Sequence, residues 1–428
     1  MVAGRKNVLR AAAVAGLCPL VAVTGFSVPV RSGVRDSSPG AGTAVYALPS
    51  DASLHRKRTH ATTTTMAALG AASGTAANRG PDFGEMLGDK VASVIVNSPV
   101  YPLLINQAKS TMKKSAENIG VDWDGEVARF RAAQDWDAAL DDLLENSAVE
   151  VPDYYKKPFH AYSDGNLCWE AAWEQHLASK AVGVRNFPDD AEKGEHLLRS
   201  RYEEQMARLG VLVEEGGLVV DLGCGSGTST RYLAEQFPSA GKVLGFDLSP
   251  HMLLTGRFML EENEASLSMV ELVYGDAAKT GLPDESASVV SLCLVVHELS
   301  REARNEIMAE ACRILRPGGS LSIMEMDPSA PGYVKLRKNP MLFSILRSTE
   351  PYLDVYFSEA GDIGVELQQA GFSTVRKSMV TGRHMAVVAV KGGLFDLRGS
   401  DEDRERADTH VQSHKTNVWM NNPIKEKN

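Results

Sequence analysis

A chain of 428 residues with 43% apolar and 23% charged residues has the make-up of a folded protein with room for more than one domain, not of a disordered or collagen-like one. Its formal charge of -10 is unevenly spread, with a basic surplus in residues 1–60 and an acidic remainder, which argues against a general nucleic-acid binder. The five cysteines (Cys18, Cys168, Cys224, Cys293 and Cys312) have no C-x-x-C spacing, so neither a disulfide framework nor a metal site is expected.

The chain begins with Arg5, Lys6 and Arg10, followed by an apolar run from Ala11 to Thr24. Gly16 and Pro19 break that run, and it is too short to span a bilayer. Residues 1–25 therefore read as a signal peptide, with Phe26 left at the new N-terminus. Residues 26–77 are basic and rich in Ser, Thr and Ala, the composition of a transit peptide or a disordered segment. A signal peptide, a Phe and a transit peptide in succession resemble the bipartite presequence of plastid proteins in algae with secondary plastids. That resemblance implies a plastid (chloroplast) location. The alternative is a secreted protein with a plain signal and a linker, and the lack of paired cysteines weighs against it.

From Pro81 the composition turns globular. Residues 81–194 read as an N-terminal helical region with an aromatic lid, including helices over Asp89–Val96, Pro102–Glu117 and Trp123–Leu144. Tyr154, Tyr155, Phe159, His160 and Tyr162 crowd a loop. Asn166 is placed to cap a helix that carries Trp169, Trp173, His176 and Leu177 on one face. Two roles compete for this block: an aromatic clamp that holds the helices to the rest of the protein, and a lid over a ligand pocket. On the second role, Tyr155, His160, Tyr162 and Trp169 are the candidate substrate contacts. A helix over Glu195–Leu209 leads into the main domain.

Strand and helix then alternate. Strands are expected at Leu218–Leu222, Lys242–Asp247, Ser268–Tyr274, Ala287–Leu294 and Ser320–Met326. The helices between them lie at Thr228–Phe237, Pro250–Glu262 and Ser300–Leu315. A helical stretch around Lys335–Arg347, a helix over Gly361–Ala370 and a hairpin-like pair, Ser373–Val380 and His384–Lys391, close the domain. This order implies an α/β fold: a doubly wound, mostly parallel sheet with helices on both faces. Residues 392–428 are polar and charged and read as a disordered tail. No transmembrane helix is expected.

The chemistry concentrates at Val219-Val-Asp-Leu-Gly-Cys-Gly-Ser-Gly-Thr228, a strand running into a glycine loop and a helix. Three glycines let the backbone turn tightly beside a ligand, and the helix start offers unpaired N–H groups. The pattern is D-x-G-x-G-x-G, with Thr228 where a dinucleotide fingerprint needs glycine, and without the lysine of a P-loop. An oxidoreductase using NAD(P) is therefore disfavoured. Asp247 ends the second strand, where a carboxylate can accept both hydroxyls of a ribose.

The loop resembles motif I of the class I S-adenosylmethionine (SAM) methyltransferases. Asp247 with Leu248-Ser-Pro-His-Met252, Gly275-Asp276-Ala277 and Arg316-Pro-Gly-Gly319 follow in the order and spacing of that family, in its type 11, quinone-methylase-like branch. The resemblance covers residues 195–391 and implies a Rossmann-like seven-stranded sheet whose last strand is antiparallel. The segment 154–173, with Ser348-Thr-Glu-Pro-Tyr352 and Arg383-His384, also looks like a methyltransferase group of cyanobacteria and plastids.

The family implies SAM as cofactor, held by Asp221, Gly223, Cys224, Gly225, Gly227, Asp247, Leu248, Met252, Asp276, Ala277 and Cys293. Asp221 would face the ammonium group, Asp247 the ribose, Leu248 and Met252 the adenine face, and Asp276 the adenine amino group. Cys224 and Cys293 would line the pocket. His297, just after the fourth strand, is the candidate catalytic base, needed only if the acceptor must lose a proton. The fourth strand departs from the family's S-F-D-V-V: this chain has Ser286-Ala-Ser-Val-Val290. No N-P-P-[YF] motif follows it, and the aromatic block favours a small hydrophobic acceptor, a quinone, phenol or lipid-like acid drawn from a membrane. A SAM-binding but catalytically silent plastid assembly factor is the alternative function.

Overall fold

The computed structural model describes residues 101–262, 268–359 and 363–392. The expected presequence, the expected Asp89–Val96 helix and the expected polar tail over residues 393–428 lie outside the described residues.

Seven strands form one sheet: β1 (Leu218–Leu222), β2 (Lys242–Asp247), β3 (Val270–Tyr274), β4 (Ala287–Cys293), β5 (Leu315–Met326), β6 (Phe372–Met379) and β7 (His384–Lys391), in the order β3-β2-β1-β4-β5-β7-β6. All neighbours pair in parallel except β7, which runs antiparallel to both β5 and β6. This is the doubly wound sheet with an antiparallel last strand. The strand order reverses between β1 and β4, so the crevice at their carboxyl ends is the place where such sheets bind ligands.

Both faces of the sheet are covered at its centre, so β1, β4 and β7 are mostly buried and the two-residue period only sorts side chains between two cores, while the edge strands β3 and β6 keep exposed positions. Val220, Leu222, Val290, Leu292, Leu321, Ile323, Met385 and Val387 point to one core. Val219, Val289, Met324, Ala386 and Val388 point to the other. The first face is covered by α8 (Arg301–Ile314), α11 (Leu353–Glu359) and α12 (Ile363–Gln369), through Ala303, Ile307, Ala311, Tyr356 and Leu367. The second is covered by α5 (Gly194–Arg208) and α6 (Thr228–Gln236), through Leu198, Tyr202, Met206 and Leu233. Each such buried Leu or Met stabilises the fold by about 1.5–3 kcal/mol relative to its exposed state.

Several element boundaries differ from the sequence expectation, each for a local reason. Trp123–Leu144 is two helices, α2 (Trp123–Ala133) and α3 (Trp136–Glu145). Asp135 separates them, because its carboxylate accepts from the Ala138 N–H at 3.1 Å and so caps a new start. The stretch around 335–347 likewise splits into α9 (Pro331–Arg337) and α10 (Pro340–Thr349), with Asn339 capping the second. Helix α11 was not expected at all. Strand β5 begins at Leu315, and the Arg316–Gly319 turn bulges out of it between the pairs Ala287–Leu315 and Val289–Ser320.

The N-terminal layer consists of α1 (Tyr101–Glu117), α2, α3 and α4 (Trp169–Asn186). Asn166 does not cap α4: Cys168 holds the cap position without a side-chain bond, and the Asn166 carbonyl accepts from Ser249 Oγ at 2.5 Å. Helix α4 packs on α7 (Pro250–Glu261) through Ala171, Ala172 and Met252. It crosses α5 at a backbone contact, where a Cβ on Gly183 would stand 2.2 Å from the Glu195 nitrogen and a Cβ on Gly194 would stand 2.4 Å from the Gly183 carbonyl carbon. Only glycine fits on either side of that crossing.

Candidate functional site

The loop after β1 carries three glycines at positive φ: Gly223 at 74°, Gly225 at 55° and Gly227 at 76°. This left-handed backbone folds the loop onto the end of β2. The Gly223 and Cys224 N–H groups both donate to the Phe246 carbonyl, at 2.8 and 3.0 Å. The Gly225 N–H donates to Asp247 Oδ2 at 2.7 Å. Asp247 Oδ1 accepts from the Ser249 N–H at 2.8 Å and from the Tyr155 hydroxyl at 2.9 Å. Burial raises the Asp247 carboxyl above its ordinary value, and the Ser249 and Gly225 N–H groups oppose that rise. Tyr155 thus donates to the acid where a ribose hydroxyl would.

Gln175 of α4 covers the same loop. Its Oε1 accepts from the Ser226 N–H at 2.7 Å, and its Nε2 lies 2.0 Å from where a Cβ on Gly225 would stand. On the other side of the crevice, Val295 side-chain carbons lie 2.8 and 2.9 Å from a Cβ built on Gly223. The cradle is therefore roofed by Gln175 and Tyr155 and walled by the turn after β4.

Asp221 is fully buried. Its Oδ2 accepts from Ser229 Oγ at 2.6 Å and Thr230 Oγ1 at 2.8 Å, while Oδ1 has no donor. Burial raises its carboxyl to about 6. An unfilled buried acceptor and a strand-end acid beside a glycine loop are acceptors that suit the ammonium and ribose hydroxyls of SAM. Asp276 Oδ1 accepts from the Ala278 N–H at 2.8 Å, while Ala277 and Leu248 are buried. The Tyr154 hydroxyl is pushed up by burial and then by the charges of Asp276 and Asp247, so the Tyr154–Tyr155 loop spans the ends of β2 and β3.

Three expected cofactor contacts are turned elsewhere. Cys224 packs with Leu253 and Leu272 beneath the loop. Met252 is buried among Ala171 and Ala172 under α4. Cys293 Sγ accepts from the buried Arg199 guanidinium at 2.7 Å, facing α5. In each case apolar burial or a buried cation competes for the side chain, and nothing in the local motif signals the competitor.

The expected substrate contacts divide. Tyr155 and His160 face the crevice. Tyr162 donates to Glu174 and lies under Lys109, whose nitrogen is 4.4 Å from the ring centre. Trp169 donates to Asp137 Oδ1 at 3.1 Å and stacks on Trp173, with centroids 5.8 Å apart. Both belong to the clamp that binds the helical layer together.

His297 sits in a short 3-10 turn, Val296–Glu298, after β4. Its Nδ1 lies 2.8 Å from Oε1 of Glu325, and its backbone N–H donates to Glu325 Oε2 at 3.1 Å. Glu325 is fully buried on β5. Burial alone would depress the imidazole, but the carboxylates of Glu325, Glu350 and Glu298 overcome it and raise His297 to about 10. The second ring nitrogen, Nε2, lies 3.8 Å from Glu350 Oε2 and 3.9 Å from Glu298 Oε1, beyond hydrogen-bond range of either. Glu350 Oε1 is 3.1 Å from His160 Nε2, and its buried Oε2 has no partner. The two histidines hold Glu350 below the usual carboxylate range against the burial that would raise it.

His160 reaches this cluster from a strained turn. His160 and Ala161 have φ of 48° and 70°, and Phe159 and Tyr162 close the turn by exchanging backbone bonds of 3.1 and 2.8 Å. Leu294, at φ 60°, adds a third non-glycine left-handed residue on the opposite wall. Such backbone conformations cost about 1–3 kcal/mol each and gather at functional sites. Glu350 and Gln175 were not foreseen as site residues, whereas Glu325, at the end of the fifth strand, was placed by its position either toward the pocket or toward solvent, and it is buried against His297. Glu350 lies within the Ser348–Tyr352 motif, which was the one available signal. No group of three or more His, Cys, Asp or Glu among the described residues is arranged to hold a metal ion.

Comparison with known proteins agrees with this geometry. Residues 219–319 match the family described as Methyltransferase domain. The demethylmenaquinone methyltransferase of Listeria welshimeri is 32% identical over 122 residues, 28% of this chain and 50% of that protein. An uncharacterized methyltransferase of Synechocystis is 27% identical over 181 residues, 42% of this chain and 77% of that protein. The solved structure of a SAM dependent methyltransferase from Aquifex aeolicus is 23% identical, with a TM-score of 0.34, covering 44% of this chain and 88% of that one. The chain spans about half the length of the curated relatives it matches first. Residues 219–319, from β1 to the turn inside β5, are thus similar to the methyltransferase domain family, and the motif order within them is the one that likeness implies.

Proposed function

We propose that this protein moves a methyl group from SAM to a small hydrophobic acceptor of the quinone, phenol or lipid-like class, within a plastid. The observation that carries the reading is the cradle itself: the left-handed glycine loop, the orphaned Asp221 Oδ1 and the strand-end Asp247 gathered at the crevice between β1 and β4. When bound, SAM would supply an electrophilic methyl on its sulfonium. The chain would hold the ammonium at Asp221, the ribose at Asp247 and the adenine beside Asp276 and Ala277. It would exclude water with Tyr154, Tyr155 and Gln175, since in-line alignment and exclusion of water supply most of the rate in such displacements. The Listeria relative's printed name, a demethylmenaquinone methyltransferase, supports a quinone-like acceptor. The basic, two-part presequence supports the plastid location. No helix among the described residues is long and apolar enough to cross a membrane, so a membrane-derived acceptor would be met at the surface or in solution.

Purified protein incubated with labelled SAM and organelle extract should label a lipid-soluble product. Label found only in RNA or protein would defeat the acceptor class. A reporter fused to residues 1–77 should enter the plastid, and secretion would overturn the location.

One observation favours a second reading. Tyr155 and Gln175 already fill the ribose and glycine positions of the cradle, as expected of a catalytically silent assembly factor. Calorimetry with SAM and the labelled extract separate the two: binding without any transfer supports the silent protein.

A further inference from the structure

The crevice contains a proton-handling arrangement that its cofactor cradle does not require. Residues from four separate stretches meet there: His160 on the strained turn, His297 and Glu298 after β4, Glu325 on β5 and Glu350 after α10. His297 is bonded to Glu325 through Nδ1, and the surrounding carboxylates favour its charged form, which makes it a poor proton acceptor. Its remaining N–H is aimed between Glu298 and Glu350 at 3.8 to 3.9 Å, and the buried Glu350 Oε2 facing it has no partner. Glu350 is committed to His160. Glu298 is the carboxylate of the cluster that no hydrogen-bond donor holds at close range.

We propose that Glu298 is the proton acceptor of the reaction, that His297 holds the acceptor's oxygen through its Nε2–H, and that the methyl acceptor is an acidic hydroxyl compound, a phenol or hydroquinone. This rests on the methyl-transfer reading above. The O–H electron pair of the acceptor forms the new O–CH3 bond as the methyl leaves the sulfonium. The sulfonium keeps the electron pair of the broken S–CH3 bond and becomes a neutral thioether. The acceptor's proton passes to a Glu298 oxygen and from there to water. No oxidant or reductant is needed.

The position fits that role. Glu298 lies three residues beyond Val295, which touches the glycine loop, and its charge is felt by the Tyr155 hydroxyl that is bonded to Asp247. It therefore sits across the mouth of the cradle from the ribose acid. Its side chain is 23% exposed, open enough to return a proton to solvent. Burial and then the opposing charges of His160 and His297, with Glu350 and Glu325 pushing the other way, leave it raised to about 7. A base with a value near the working pH is the efficient one. The groups facing the cluster from neighbouring elements include the hydroxyls of Tyr155, Tyr333 and Tyr356 and the ring of His384, which burial and nearby cations hold below its ordinary value.

The test compares the full chain with Glu298→Gln, a substitution of equal size. Carbon-13 NMR of glutamate-labelled protein should show one carboxyl that titrates near neutrality and is absent from Glu298→Gln. If the missing carboxyl titrates in the ordinary range instead, the proposal is overturned, whatever the acceptor. With labelled SAM and organelle lipid extract, Glu298→Gln should transfer methyl at least ~100-fold more slowly, and the acidic limb of the pH–rate profile should disappear. SAM affinity by calorimetry should stay within about threefold, since the cradle is untouched. Glu298→Asp should recover at least about tenfold over the Gln variant, because it restores a base. Full activity in Glu298→Gln, or equal loss in both variants, sinks the assignment of Glu298 while leaving methyl transfer intact. If the wild-type protein binds no SAM, the methyl-transfer reading fails instead, and the NMR titration still decides the state of Glu298.

Discussion

The tryptophan clamp and the histidine–glutamate cluster are both served by the stretch from Tyr154 to Leu177, yet they are built on opposite physics. The clamp joins Phe130, Trp136 and Trp173 with Trp169 and Phe258 at ring separations of 5.2 to 6.0 Å. It is stable because it removes apolar area from water, and it tolerates any ligand state. The cluster removes charge from water. It is tolerable because Glu325 and Glu350 each have a histidine nitrogen at 2.8 and 3.1 Å, so its energy depends on pH and on what enters the crevice. One piece of chain thus supplies a fixed mount at its helical end and a chemically responsive edge at its loop end.

The comparison can be broken at its strongest point by Trp173→Ala. That change should destabilise the fold by ~3–5 kcal/mol, as truncation of buried aromatics does. It should leave the pH dependence of any residual transfer unaltered, which a set of denaturation curves and a pH–rate profile would check. His297→Gln should be the mirror image. Leaving Glu325 buried without its cation costs about 3 kcal/mol, and the pH response should change as well.

The sign follows from linkage. His297 has a folded value of about 10, above its unfolded value, so its contribution is complete below roughly pH 6.5 and is lost as pH rises toward 10. The melting temperature of the wild-type protein should therefore fall between pH 7 and 9. The variant should show a flatter profile. A wild-type slope retained in His297→Gln would mean that the imidazole is neutral in the folded protein.

Smaller effects sharpen the picture. Gln175→Ala removes a hydrogen bond that must break before SAM can occupy the loop. A bond worth about 1 kcal/mol should translate into roughly fivefold tighter SAM binding by calorimetry. Weaker binding would show that Gln175 turns to hold the cofactor instead of blocking it. Ala161→Gly removes one left-handed strain but adds chain entropy, so it should raise stability by no more than about 1 kcal/mol. If stability fell clearly instead, the turn would not be strained.

The sheet was legible because short apolar strands alternate with helices across turn residues, all within a few residues of sequence. Strand β2 and helix α6 fall within one residue of their expected limits for that reason. The failures were of range or of subtlety. Asp135 splits a helical pattern that runs on smoothly in apolar spacing. The strand acids Asp221 and Asp247 could be found from the motif and its spacing, but their neighbours could not. Gln175 meets Ser226 from 51 positions away, and His160 meets Glu350 from 190 positions away. Nothing in a helix reading Trp-Glu-Gln-His tells which polar side chain will lie on a glycine loop. Nor does the sequence say that Cys293 would answer to Arg199 and not to the pocket.

The crossing of α4 and α5 at Gly183 and Gly194 bears on timing. Backbones in contact at that point leave α4 no room to slide or tilt against α5 without breaking tight packing. The helix that carries Gln175 is in effect a fixed beam, and access to the glycine loop falls to rotation of Gln175 and movement of the Tyr155 loop. Such motions belong to nanoseconds and microseconds, not to the milliseconds of domain opening. On the methyl-transfer reading proposed above, cofactor exchange should then keep pace with diffusion, leaving the chemical step or departure of the methylated product to govern turnover.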